Sequence, residues 1–142
     1  MNGTDARQIL VVDDDDCVRE AMVMLLTGAG HQVRSAASGK EALAWLEAET
    51  YELLIIDFKM ADLDGATLYR RVRERWPMGD GGPRILFVSG YAELKGEQHA
   101  EILATPFLTK PFNLGELFAV VTRMLARPGL STQSLEAGGR GR

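Results

Sequence analysis

Four consecutive aspartates, Asp13 to Asp16, follow directly on the apolar run "QILVV". Carboxylates crowded in this way repel one another and cost stability unless something compensates them. Further along, the apolar run "LLII" ends in Asp57, "RILFV" leads into Ser89, and "FLT" runs into Lys110. In an open parallel sheet the ligand crevice lies just beyond the carboxyl ends of the strands. Neighbouring strands stand about 4.8 Å apart, so polar residues ending strands one, three, four and five converge in one small space. That edge would carry the carboxylates of Asp13, Asp14 and Asp57, the Ser89 hydroxyl and the Lys110 ammonium. Such a set is stable only if an acid is protonated or a cation is shared. Mg2+ suits it, because it takes hard oxygen ligands from a few carboxylates and leaves positions for a phosphate oxygen. Asp15 and Asp16 fall at the strand-to-helix turn and suit a helix N-terminus instead.

The elements that must position these residues are legible as alternating short apolar runs and longer stretches of helical period, the pattern of a parallel sheet covered by helices on both faces. "QILVV" pairs with "CVREAMVMLL", where Val18, Met22, Leu25 and Leu26 share a helical face and "TGAG" ends it. "HQVRSA" is a weaker second strand. The next helix, "SGKEALAWLEAE", has Ser38 and Glu41 at capping-box spacing, with Ala42, Trp45, Leu46 and Glu49 in a mixed amphipathic pattern. "YELLIIDF" lacks alternation, as expected of a mid-sheet strand buried on both faces. "ATLYRRVRERW" repeats the helical period through Leu68 and Val72, and "PMGDGGP" breaks it before "RILFVSG". A fourth helix is expected around "AELKGEQHAEIL", which is poor in apolar residues and so the loosest of the set. "PFLT" is a short fifth strand. "NLGELFAVVTRMLA" is the last helix, with Asn113 as N-cap and Glu116 three residues on.

The fold expected is thus a doubly wound α/β domain over residues 8–126, followed by a flexible tail or linker over 127–142, where glycine, serine and arginine dominate. The net charge of −4, from 16 basic and 20 acidic residues, gives no electrostatic footprint for nucleic acid or an anionic membrane. Cys17 is the only cysteine, which excludes an internal disulfide and fits a reducing compartment. No apolar run approaches a membrane span and "MNGTDARQ" lacks a signal-peptide layout, so a cytoplasmic location is expected.

Together "ILVVDDDDCVRE", "LLIIDFKMADLDG", "ILFVSGYAE" and "FLTKPF" resemble, in order and spacing, the receiver domain of two-component response regulators. The resemblance implies a flavodoxin-like (βα)5 sheet of five parallel strands in the order 2-1-3-4-5. By the same resemblance, Asp57 accepts a phosphoryl group from a histidine kinase or histidine phosphotransfer protein. Asp14 directly, Asp13 through water, Asp57 and the backbone carbonyl of Lys59 would hold Mg2+. Ser89 would turn toward the phosphoryl oxygens, Lys110 would pair with them, and Phe107 would move inward as a switch. Pro111 would follow a cis peptide. The kinase would dock near the first helix, and the fourth helix, fifth strand and fifth helix would form the output face, through which a homodimer could also form. The protein would catalyse only its own phosphorylation and dephosphorylation. "VSGYAE" and "FLTKPFNLGEL" look most like receivers attached to hybrid histidine kinases or acting alone.

The sequence departs from the family pattern at Ala61, where proline commonly follows the methionine; the loop there loses a fixed backbone angle, while Asp64 and Gly65 still supply the turn into the third helix. The bulk of Lys59 and Tyr91, two residues past the acceptor and hydroxyl positions, predicts a shielded, longer-lived phosphoryl group. Taken singly, each site residue has a plainer reading. Asp57 and Ser89 read as turn residues, Lys110 as a surface lysine, Phe107 as core, and His31, His99 and the arginines of "YRRVRER" as solvated surface. Two rival functions are a phosphorylation-independent docking scaffold and an aspartate-nucleophile phosphohydrolase. The short chain and the absence of a cap domain weigh against the latter.

Overall fold

The computed structural model describes residues 7–60, 62–77, 82–90 and 106–126. Five strands and four helices follow in the order β1 (Gln8–Val12), α1 (Asp16–Gly28), β2 (Gln32–Ala36), α2 (Gly39–Ala48), β3 (Leu53–Asp57), α3 (Gly65–Arg75), β4 (Arg84–Gly90), β5 (Phe107–Lys110) and α4 (Leu114–Met124). The helix expected around residues 92–103, the tail over 127–142, and Ala61, Tyr91 and His99 lie outside the described residues. The helix called α4 is therefore the fifth of the sequence-based expectation. All strand pairs are parallel and the sheet order is β2-β1-β3-β4-β5, as the resemblance implies.

Side chains alternate across each strand, so the central strands feed two cores. Leu10, Val12, Leu54, Ile56 and Phe87 pack with Ala42, Leu46, Leu68 and Val72 of α2 and α3. Ile9, Val11, Ile55 and Val88 pack with Met22, Leu26, Leu117 and Val121 of α1 and α4. β3 is buried at every position, which explains its unbroken apolar run. Each such side chain removed from water contributes roughly 1.5–3 kcal/mol before entropy is counted. The edge strands differ: β2 and β5 alternate between more and less exposed positions, which is why β2 looked weak in the sequence.

The helix ends follow local chemistry. Asp15 caps α1, its Oδ1 accepting from the N–H groups of Cys17 and Val18 at 3.0 and 3.2 Å. After α1, Gly30 adopts φ +100°, a left-handed conformation that favours glycine. Asn113 and Glu116 form the full reciprocal capping box at the start of α4. At α2 the expected box is only half formed. Ser38 Oγ accepts from the Glu41 N–H, but the Glu41 carboxylate turns back past Ser38 to the N–H of Ala37.

Candidate functional site

The turn leaving β1 divides the four aspartates between two jobs. Asp13 is fully buried at the strand end, its own N–H donating to Ala36 O and its Oδ1 accepting from the Asp15 N–H at 2.9 Å. Asp14 is exposed. Asp15 is the cap described above, and Asp16, in the first turn of α1, pairs with Arg19 at 2.6 Å. Arg19 also donates to the carbonyl of Asp13 at 2.8 Å, fastening the turn from the helix side. The sequence reading missed this role, though the Asp16–Arg19 spacing of three residues on a helix was its available signal.

Asp57 closes β3, which lies beside β1, and is buried. One carboxylate oxygen from each of Asp13, Asp14 and Asp57 falls within a set no wider than 4.8 Å. Lys110 at the end of β5 points its ammonium between two of them, 3.5 Å from Asp57 Oδ1 and 3.7 Å from Asp13 Oδ2. Ser89, the penultimate residue of β4, is 1% exposed. The strand ends of β1, β3 and β5 thus bring Asp13, Asp14, Asp57 and Lys110 together, while Ser89 is buried near the end of β4. The backbone N–H of Lys59 hydrogen-bonds Asp57, while its side chain is exposed.

The electrostatics show what the arrangement costs. Burial, then the neighbouring Asp13 charge, pushes the Asp57 carboxyl up to about 6 against the partial relief of Lys110. Burial likewise raises Asp13, although the Asp15 N–H and Lys110 oppose it. Asp13 Oδ2 accepts no hydrogen bond among the described residues. A buried carboxylate oxygen that accepts no hydrogen bond, with the Lys110 ammonium 3.7 Å away and two more carboxylates beside it, belongs to a donor set that suits a hard divalent cation, and the residues fit Mg2+.

Phe107 is 41% exposed at the start of β5, paired in register with Phe87 of β4, so the plain reading of it as core fails; on an edge strand its side of the pleat meets solvent. His31 is also corrected. It is half-buried rather than solvated, and its Nδ1 accepts from the Arg7 N–H at 3.2 Å. Burial lowers its pKa. The Lys110–Pro111 peptide is cis. Arg70, Arg71 and Arg75 are exposed on α3, as read from the sequence, and Arg75 stacks over Trp76, but Arg73 of the same run is half-buried with its guanidinium over Tyr69.

A flavodoxin-like α/β domain with an acidic crevice at the carboxyl edge of its sheet is the class defined by this fold and site. The family model of the response regulator receiver domain matches residues 9–122, and the chain belongs to that family. Among curated proteins, sensor kinase CckA of Brucella abortus is 37% identical over 122 residues, 84% of this chain and 12% of that protein. DNA-binding transcriptional regulator NtrC of Klebsiella pneumoniae is 31% identical over 117 residues, 82% of this chain and 24% of the relative. The chain therefore spans a minor part of the length of these relatives. Among solved structures, a CheY-like response regulator receiver domain protein from Methanospirillum hungatei matches with a TM-score of 0.73 at 27% identity, over 84% of this chain and 94% of that one. Chemotaxis response regulator CheY4 of Vibrio cholerae gives 0.72 at 27% identity, over 84% and 98%. Response regulator TrrA of Thermotoga maritima, in complex with Mg2+ and BeF, gives 0.71 at 27% identity, over 83% and 98%. Among the described residues no helix is long and apolar enough to cross a membrane.

Proposed function

We propose that this chain is a cytoplasmic phosphoacceptor module of a histidine-aspartate relay, phosphorylated on Asp57 in a Mg2+-dependent reaction. The convergence of Asp57 with Asp13, Asp14 and Lys110 at one sheet edge is the observation that carries the reading. Asp13, Asp14, Asp57 and the Lys59 carbonyl would hold the cation. When bound, Mg2+ supplies positive charge to the phosphoryl oxygens and a coordination position for one of them. With its pKa near 6, Asp57 is mostly carboxylate at neutral pH and can attack phosphorus. An Asp57 O–P bond forms as the N–P bond of the partner's phosphohistidine breaks. Lys110 compensates the incoming negative charge, and the Ser89 hydroxyl donates to a phosphoryl oxygen.

The new dianion then biases a two-state face through Ser89 and Phe107. Phe107, 41% exposed, is the ring that moves inward, and the output surface combines the expected fourth helix with β5 and α4. A histidine kinase or histidine phosphotransfer protein is the donor, and the output face is the surface through which a homodimer could form. The module is a switch and not a multiple-turnover enzyme.

Intact-mass measurement after acetyl phosphate or beryllofluoride treatment, with and without Mg2+, tests the reading. The expected result is one adduct that requires Mg2+ and disappears in Asp57→Asn. No adduct in the wild type, or one that survives in Asp57→Asn, overturns it. Sustained turnover of a phosphomonoester would point to the hydrolase alternative, and signalling intact in Asp57→Asn to a docking scaffold.

A further inference from the structure

We infer that Asp62 is a positioning residue whose carboxylate, seated on the first backbone N–H groups of α2, holds the loop between β3 and α3 so that Lys59 can serve the cation site. The inference rests on the function proposed above and concerns a residue to which that function gives no part. Asp62 Oδ1 accepts from the Gly39 N–H at 3.1 Å and Oδ2 from the Lys40 N–H at 3.2 Å. These are donors that the start of a helix leaves without intrahelical partners, at the end that favours negative charge. Ser38 Oγ takes the next one, from Glu41, so two carriers share the first turn of α2.

The contact is close. A Cβ on Gly39 would stand 2.7 Å from Leu63 Cβ and 3.0 Å from the Leu63 carbonyl oxygen, so only glycine admits the loop at this distance. At its neck, the loop is pinched by the Gly65 N–H donating to Phe58 O at 2.8 Å. A Cβ on Gly65 would lie 2.7 Å from Phe58 Cα. Between neck and tip sit Lys59 and the buried Met60. Burial pushes the Asp62 carboxyl up, but the N–H groups of Gly39, Lys40, Leu63 and Asp62 itself outweigh it and hold it below its ordinary value. In the family pattern a proline follows the methionine and fixes the backbone locally; here residue 61 is alanine, and the contact with α2 is a restraint on the same loop.

Without the latch, the loop's ordering entropy falls on cation binding and weakens it. Calorimetric titration of the full chain with Mg2+ tests this in wild type, Asp62→Ala, Asp62→Asn, Gly39→Ala and the double variant Asp62→Ala with Ala61→Pro. The expected results are a loss of roughly fivefold in Mg2+ affinity for Asp62→Ala, about the worth of one hydrogen bond, and a smaller loss for Asp62→Asn. Gly39→Ala should weaken binding with the carboxylate intact, and Ala61→Pro should restore most of the affinity lost in Asp62→Ala. Far-UV circular dichroism checks folding, and if Asp62→Ala does not fold, Asp62→Asn and Gly39→Ala decide. Wild-type affinity in the folded Asp62 and Gly39 variants overturns the latch alone, as does failure of the proline to restore binding. A wild type that takes no Mg2+ overturns the proposed cation site and the latch with it.

Discussion

Lys110 reaches Asp57 from the far side of β4, bringing its Nζ to 3.5 Å from the Asp57 Oδ1. The same ammonium stands 3.7 Å from Asp13 Oδ2, so one cation half-compensates two buried acids. The crevice is left with more negative charge than its own residues neutralise, and its stability and its affinity for cations are set by the same imbalance.

Lys110→Ala removes the only cation that is ion-paired to either acid among the described residues. Stability at pH 7 without Mg2+ should fall by about 1–2 kcal/mol, a modest figure because the lysine is partly solvated. Urea denaturation measures it. At pH 5, where an acid of the pair is protonated, the loss should shrink. Labelling by acetyl phosphate should fall sharply at either pH.

The pH dependence has a definite sign. Asp57 titrates near 6 in the folded protein against 3.8 ordinarily, and Asp13 is also raised, both by burial first. The folded state therefore holds protons that the unfolded chain has released. This contribution is fully present below the ordinary carboxylate value and is lost as the pH rises through about 6. Asp62 and Glu49, whose carboxyls are lowered, act oppositely, but their contribution is already complete above the ordinary carboxylate range. Thermal melts without Mg2+ should show the midpoint falling between about pH 5 and 7. Saturating Mg2+ should flatten the slope, and Asp57→Asn should reduce it.

Asp13→Asn keeps an oxygen for the Asp15 N–H and deletes a buried charge facing Asp57. The Mg2+-free protein should gain about 1 kcal/mol at pH 7, the usual direction when a strained functional charge is removed. Its Asp57 should titrate closer to 3.8. Addition of Mg2+ should then give little further stabilisation. Melts with and without the ion check both halves.

The aspartate run should separate into its two jobs under mutation. Asp15→Ala removes the cap of α1 and should cost about 1 kcal/mol, leaving Mg2+ affinity within roughly twofold of wild type. Asp14→Ala should do the reverse, sparing stability and weakening Mg2+ binding at least tenfold, about 1.4 kcal/mol. Chemical denaturation and calorimetry on the same pair of variants make the comparison.

Features written locally in the chain were legible. Asp15 as a cap, the Asn113–Glu116 box and the unbroken burial of Leu53 to Ile56 all follow from neighbours in sequence, and the strand-end rule brought Asp13, Asp57 and Lys110 together before any coordinates. Contacts between segments without a periodic signal were not legible. Asp62 lies 23 residues from Gly39, and nothing in "MADLDG" marks its carboxylate for α2 rather than α3. Arg34 folds over Trp45 and pairs with Glu49, which also accepts from Tyr51 OH, a cluster gathered from β2, α2 and the turn before β3. The plainer reading of Phe107 as core failed because it rested on residue type alone, and an aromatic ring on an edge strand is inside or outside according to register, which composition does not encode.

β3 is enclosed on both faces, whereas β5 lies half in solvent at the sheet margin. The proposed acceptor is thus anchored in a strand buried at every position and its ammonium partner in a half-exposed edge strand. A push or pull arising between them is absorbed by the margin, like a lever bearing on an anvil. Under the proposed function, a single charge event in the crevice would be passed to that margin while the enclosed strand stays still.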